Sequence, residues 1–220
     1  MKKWLLSFFA FLLLLTNVAS ADQWEDVGRN IGQHIGSVVA GGNDNKAFWY
    51  AKDYDFANIK TIVVNTSVSS SVSDPYLKYK YIDVLAEKFD NTNIKFLDQS
   101  VLYNEYTALL QKNNVTPEQY NFLYYVYDAY QTTTYMQVNI YAYNNRPYPG
   151  IRTMGDCWLD FKIMDVRRYQ AGQPDSIDIL FYNDQRLDAV NASKGGLLNR
   201  ITGRFKNKFG DALEKKAITE

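Results

Sequence analysis

Asp156 and Asp160 stand four residues apart with Trp158 between them, in a stretch where apolar and polar side chains alternate. Residues i, i+2 and i+4 of a strand line one face, so this spacing sets two carboxylates and an indole side by side. Two carboxylates flanking a glycosidic bond are what its hydrolysis requires, and the indole offers a rigid apolar face with a polar edge. The trio is therefore a candidate glycan-binding or glycan-acting site. The same spacing also describes the solvent face of an antiparallel strand, on which Asp160 and Lys162 simply stay hydrated.

Other catalytic chemistry has little to work with. His34 is the sole histidine, which excludes a His-rich metal centre, and it falls in a glycine-striped segment away from any strand end. The sequence contains no G-x-S-x-G, H-E-x-x-H, Walker loop or G-x-G-x-x-G. Gly195-Gly196 reads as a helix start rather than an anion cradle. No catalytic residue, metal ligand set or cofactor is assigned, and the chain is expected not to be an enzyme. Cys157 is the only cysteine, so no intramolecular disulfide can form. Its neighbours Trp158, Leu159 and Phe161 make it a small buried side chain in a strand.

Charge excludes a further class. The 24 basic and 24 acidic side chains cancel, and a chain without basic excess has little to displace counterions from nucleic acid. Lys2 and Lys3 precede an apolar run from Leu5 to Leu15 and the small residues Ala19-Ser20-Ala21, the layout of a secretory signal peptide over residues 1–21. No cysteine lies near that cleavage position, so the exported chain is expected to be periplasmic or secreted and not lipidated. No later segment is long and apolar enough to span a membrane.

The elements that must position these residues follow from periodicity. Trp24, Val27, Ile31, Ile35 and Val38 recur at helical spacing, predicting a helix within 22–42. Gly28, Gly32 and Gly36 form a small-residue stripe beside that face, a surface for close packing on the protein's own sheet or on another copy. From residue 48 to 218 a single domain is expected. Strands are predicted at Ile59 to Val64, Ile94 to Leu97, Thr134 to Tyr143, Asp156 to Val166 and Ser176 to Tyr182, with a hairpin connection at Gln170 to Pro174. Helices are predicted from Lys78 to Phe89, from a cap at Asp98 or Ser100 through Leu110, after the capping box Thr116-Pro117-Glu118-Gln119, and from Lys194 to Ala217. The order α-β-α-β-α-α-β-β-β-α describes an α+β fold, a mixed sheet with helices packed on it in three layers.

Eighteen tyrosines are the most unusual feature, and eleven fall between Tyr103 and Tyr148. Tyr120, Tyr124 and Tyr127 share one side of a helix whose other side carries Phe122, Tyr125 and Val126, and a helix apolar nearly all round is ordinarily buried on both sides. Tyr135, Tyr141 and Tyr143 alternate with Met136, Val138, Ile140 and Ala142, so a polar-aromatic strand face is expected to meet a partner. The last helix presents Arg200, Arg204, Lys206, Lys208, Lys215 and Lys216 opposite its apolar stripe, a face that anionic headgroups or glycan could bind, or a solvated face paired with Asp211 and Glu214.

Lys60 to Asn65, the helix with Val84-Leu85-Ala86, and Ile94 to Asp98 before another helix resemble the domain shared by the curli-secretion protein CsgG, the synthase activator LpoB and the TolB N-terminal domain. Trp158 to Arg168, ending in Met164-Asp165-Val166, resembles that superfamily's central strands. Tyr54-Asp55-Phe56 followed by Lys60-Thr61 is similar to an envelope-lipoprotein domain of unknown function. The resemblance covers roughly 50–215. It implies a three-layer α/β bacterial envelope domain that works by contact with an envelope protein or with itself, and this chain departs from it in lacking the lipidated cysteine.

Overall fold

A computed structural model describes residues 48–74, 76–148, 151–167, 177–190 and 193–214. The signal peptide, the helix within 22–42 with Gly28, Gly32, Gly36 and His34, the 170–174 connection, and Lys215 and Lys216 lie outside the described residues. Six strands are β1 (Phe48–Tyr50), β2 (Thr61–Val68), β3 (Lys95–Asp98), β4 (Thr134–Tyr148), β5 (Ile151–Asp165) and β6 (Asp178–Val190). Helices are α1 (Leu77–Lys88), α2 (Gln99–Asn113), α3 (Phe122–Tyr130) and α4 (Lys194–Glu214), with a short 3-10 turn at Phe56–Asn58. The sheet order is β1-β6-β5-β4-β2-β3, parallel at β3–β2–β4 and antiparallel elsewhere. This is the mixed α+β sheet expected from the sequence.

Helices on opposite faces make two cores. On one face Leu77, Tyr81 and Leu85 of α1 and Leu197, Ile201, Phe205 and Phe209 of α4 pack on Ile62, Val64, Met136, Val138, Leu159, Phe161 and Phe181. The stripe at three- and four-residue spacing in α4 is what makes that burial possible. Phe205 stacks on Phe161 with ring centres 4.3 Å apart and planes 8° from parallel. Inside this core the Tyr81 and Thr202 hydroxyls bond each other at 2.8 Å, and the Thr202 hydroxyl lies 2.8 Å from the Leu198 carbonyl. On the other face Leu102, Tyr106 and Leu110 of α2 and Phe122 and Val126 of α3 cover Val63 and Tyr135. Close approach of α4 to the sheet depends on Gly155, where a Cβ would stand 2.3 Å from Leu197 Cδ1.

Caps follow local chemistry. Asp98 accepts from the Ser100 N–H at 2.7 Å and opens α2. The expected box at Thr116 makes only a turn: the Thr116 N–H donates to Gln119 Oε1 at 3.0 Å, and the helix begins after Asn121, whose side chain accepts from the Tyr124 N–H. Ser193 accepts from the Gly196 N–H at 3.0 Å, so the two glycines lie in a capped helix start.

Three further features depart from the sequence reading. β1 is a strand that three aromatic residues are too few to announce. The arms of β4, β5 and β6 extend well beyond the apolar stretches that marked them, because the ladder continues through polar pairs such as Asn144–Asp156. And β4 is bulged between Ile140 and Ala142, so the residues that follow change face.

Candidate functional site

Where α2 and α3 leave the second sheet face, that face turns polar. Strand register sets its residues in rows across four strands. One row runs Asn65, Gln137, Lys162, Tyr182; the next runs Ser67, Asn139, Asp160, Asp184; the third holds Ala142, Trp158 and Arg186. Hydrogen bonds tie the rows together. Asn65 donates to Gln137 at 2.9 Å, Gln137 to Asn139 at 2.9 Å, and Asn139 to Asp160 Oδ1 at 2.8 Å. Tyr141 donates to Asp160 Oδ2 at 2.8 Å, and Trp158 Nε1 to Asp184 at 2.7 Å. The Tyr141 and Trp158 rings lie 4.6 Å apart beside the carboxylates.

Burial makes the electrostatics unusual. Asp160 and Lys162 are 4% and 5% exposed, which corrects the expectation that both stay hydrated: Tyr141 and Tyr182 crowd the same face on either side of them. Desolvation raises the Asp160 carboxyl above its ordinary value against the pull of Tyr141, Lys162 and Asn139. Asp184, directly opposite, is pushed up to about 6 by burial first, with the Trp158 bond opposing and the Asp160 charge adding to the rise. Residues directly opposite across an antiparallel pair hold their Cβ atoms about 4.5–5.5 Å apart, close enough for two like charges to repel. Desolvation also lowers the pKa of the Lys162 ammonium, and the Asp160 charge opposes that fall.

The proposed site residues separate. Asp156, Trp158 and Asp160 share this face as the spacing predicts, and Asp156 accepts from Asn144 Nδ2 at 3.2 Å. Both Asp160 oxygens are already occupied, so Trp158, which is partly exposed, and Asp184 are the groups with reach toward a ligand. The sequence reading took Lys162 only as a hydrated strand residue and did not include Asp184, which enters only through the β5–β6 register. Tyr135, Tyr141 and Tyr143 do not form one contact surface. Tyr135 is buried beneath α2 and α3 with its hydroxyl unpartnered among the described residues, and burial raises its pKa. The bulge carries Tyr143 to the α1/α4 core beside Cys157. Only Tyr141 remains on the polar face. Cys157 is fully buried, its thiol pushed up to about 12 by desolvation and then by the Asp156 charge.

Exposed tyrosines lie elsewhere, Tyr76 and Tyr79 at the start of α1 and Tyr124 and Tyr127 on α3. Phe122 and Val126 face inward, whereas Tyr124 and Tyr127 are 63% and 48% exposed. Glu105 of α2 accepts from the Tyr125 and Tyr130 hydroxyls at 3.0 and 2.9 Å. Val101 and Leu109, one turn either side of Glu105 on α2, are also exposed. A cavity of about 270 Å³ lined by Leu109, Leu110, Asn113, Val115 and Tyr120 lies at the far end of α2. On α4, Lys206 is spent inside the molecule, donating to the Lys88 carbonyl and to Asn91, and Lys208 lies over the Phe48 ring. Arg200 and Arg204 are exposed. No helix among the described residues is long and apolar enough to cross a membrane.

No family model matches the chain and no curated protein matches it. Among solved structures it is similar to the PelC dodecamer from Paraburkholderia phytofirmans, with 6% identity over 75% of this chain and 98% of that one and a TM-score of 0.47. It is similar to lipoprotein GNA1162 from Neisseria meningitidis, with 12% identity over 69% and 98% and a TM-score of 0.42. A third is protein XCC0632 from Xanthomonas campestris, of the DUF330 family, with 5% identity over 73% and 87% and a TM-score of 0.43. Likeness at this level supplies neither a residue nor an activity to this chain.

Proposed function

We propose that this chain is an exported, non-enzymatic envelope protein that acts by contact with another protein, and that the outer face of α3 with the flanking residues of α2 is its contact surface. One observation carries the reading. α3 carries apolar or aromatic side chains on every side, with Asp128 its one charge, yet only one side is covered, and the other leaves Tyr124 and Tyr127 in solvent. Tyrosine is among the residues that most often anchor interfaces, because a rigid amphipathic ring buries much area at little entropic cost. The signal-peptide layout at the N-terminus supports export. The experiment is in-cell cross-linking of the tagged exported chain against a Tyr124→Ser/Tyr127→Ser variant. A defined partner captured by the first should fall at least about tenfold in the second, the loss expected when interface anchors are truncated. Equal capture by both would remove α3 from the contact.

A second reading has its own observation. The Tyr141–Trp158 aromatic pair beside Asp184 and Asp160 is a platform on which a polysaccharide could stack and bond. Titration with envelope polysaccharide fragments should then produce saturable binding that Trp158→Ala abolishes. No response from either form would eliminate glycan recognition.

A further inference from the structure

The outer edge of β6 is only partly covered. β1 pairs with Phe181, Tyr182 and Asn183, whereas β6 continues to Val190 with β5 along its other side. Among the described residues no strand lies outside β6 beyond Asn183. The Ala51 N–H donates to the Leu180 carbonyl at 2.8 Å, in step with the β1 register. Backbone groups alternate sides along a strand, so Leu180 and Tyr182, and after them Asp184, Arg186 and Asp188, turn their N–H and C=O outward. Such a row is a template for another strand.

The side chains of that edge select what pairs with it. Arg186 and Asp188 are exposed, opposite in charge and 4.0 Å apart, with buried Leu187 between them. Two copies running antiparallel about a twofold axis through Leu187 bring each Arg186 opposite the other copy's Asp188. Those are also the positions whose backbone groups face outward. An axis through Arg186 instead sets Arg186 against itself and Asp184 against Asp188, and an axis through Asp188 sets that carboxylate against itself. Opposite charges across a ladder stabilise and like charges destabilise, so neighbouring registers are rejected. A row of one sign would discourage pairing in every register; here an axis through Gln185 would also oppose Asp184 and Arg186, but it brings the second copy onto Asn183 and Tyr182, which β1 already covers, so the register about Leu187 is the one left open.

We propose that the open edge of β6 is a self-association surface, pairing antiparallel with the same edge of a second copy about Leu187, as a closed twofold contact requires. The inference rests on the contact reading and deepens it, naming a second copy as one partner on a surface separate from α3.

Sedimentation equilibrium of the exported chain tests it with Asp188→Arg, Arg186→Asp and the double exchange R186D/D188R. Each single reversal should weaken dimerisation roughly tenfold, because each sets like charges opposite one another twice per dimer, and the double exchange should recover it. Both side chains are exposed, and unchanged circular dichroism would confirm intact folding. Equal dimerisation by all four proteins overturns the pairing. So does a wild-type monomer across the accessible concentration range, which would mean that the edge does not pair with a second copy. A Tyr124→Ser/Tyr127→Ser protein run in parallel separates the two readings. Dimerisation lost there and retained in both charge reversals would assign self-association to α3 and overturn the β6 pairing.

Discussion

Phe205→Ala should be the most damaging single truncation in the molecule, costing about 3–5 kcal/mol. Phe205 is fully buried at the meeting point of α4, α1 and the sheet. Its ring stacks on Phe161 at 4.3 Å and lies within 5.7–5.8 Å of Phe89, Phe181 and Phe209. Truncation removes the transfer free energy of the ring and leaves a cavity whose walls are other rings held by their own packing. A domain of this kind is stable by only about 5–15 kcal/mol, so the loss is a large share of the total. Urea denaturation read by tyrosine and tryptophan fluorescence measures it, with Arg204→Ala, one residue away and exposed, as the reference. A loss below about 1 kcal/mol in Phe205→Ala would show that α4 does not pack on β5 as described.

The second large effect is on pH. Asp184 titrates near 6 in the folded protein, above the ordinary carboxylate value, because it is desolvated and faces Asp160. A raised carboxylate pKa means that the folded state binds the proton more tightly than the unfolded chain does. The stability this group contributes is then greatest below the unfolded value and is lost as pH rises from about 4 through about 6. Asp160 shifts in the same direction and adds to the fall. The Asp184 share is about 2 kcal/mol once solvent screening at this partly buried site is discounted. Asp184→Asn keeps an acceptor for the Trp158 N–H and removes the charge, so its stability profile should be flatter over that window and higher at pH 7. Identical pH profiles for the two proteins would show that the carboxylates are solvated.

Much of the fold could be read from the residues, for identifiable reasons. The IVV run of β2, the stripe of α4 and the Asp98 cap are local signals, and they led to elements close to those observed. What was missed depends on contacts distant in sequence. Tyr143 changes face because of one extra residue in β4, and period-two reasoning has no way to locate a bulge. The Thr116 box is a genuine local preference that yields a turn, because Asn121 supplies a better-placed cap for α3. Asp160 reads as a solvated strand residue until Tyr141 and Tyr182 are placed around it. Asp184 had no signal of its own, since its importance comes from standing opposite Asp160, which requires the β5–β6 register. The exposed side of α3 was anticipated as apolar but expected to be covered, and its lack of cover is visible only once α2 and the sheet are in place.

The central claim is that this chain works through contact at α3. The most direct measurement is site-specific photo-cross-linking in living cells of the source organism, with the probe at position 124 in one protein and at position 204, on exposed α4, in another. A single defined adduct from position 124 and none from position 204 is the predicted result. The same adducts from both positions, or none from either, would contradict it.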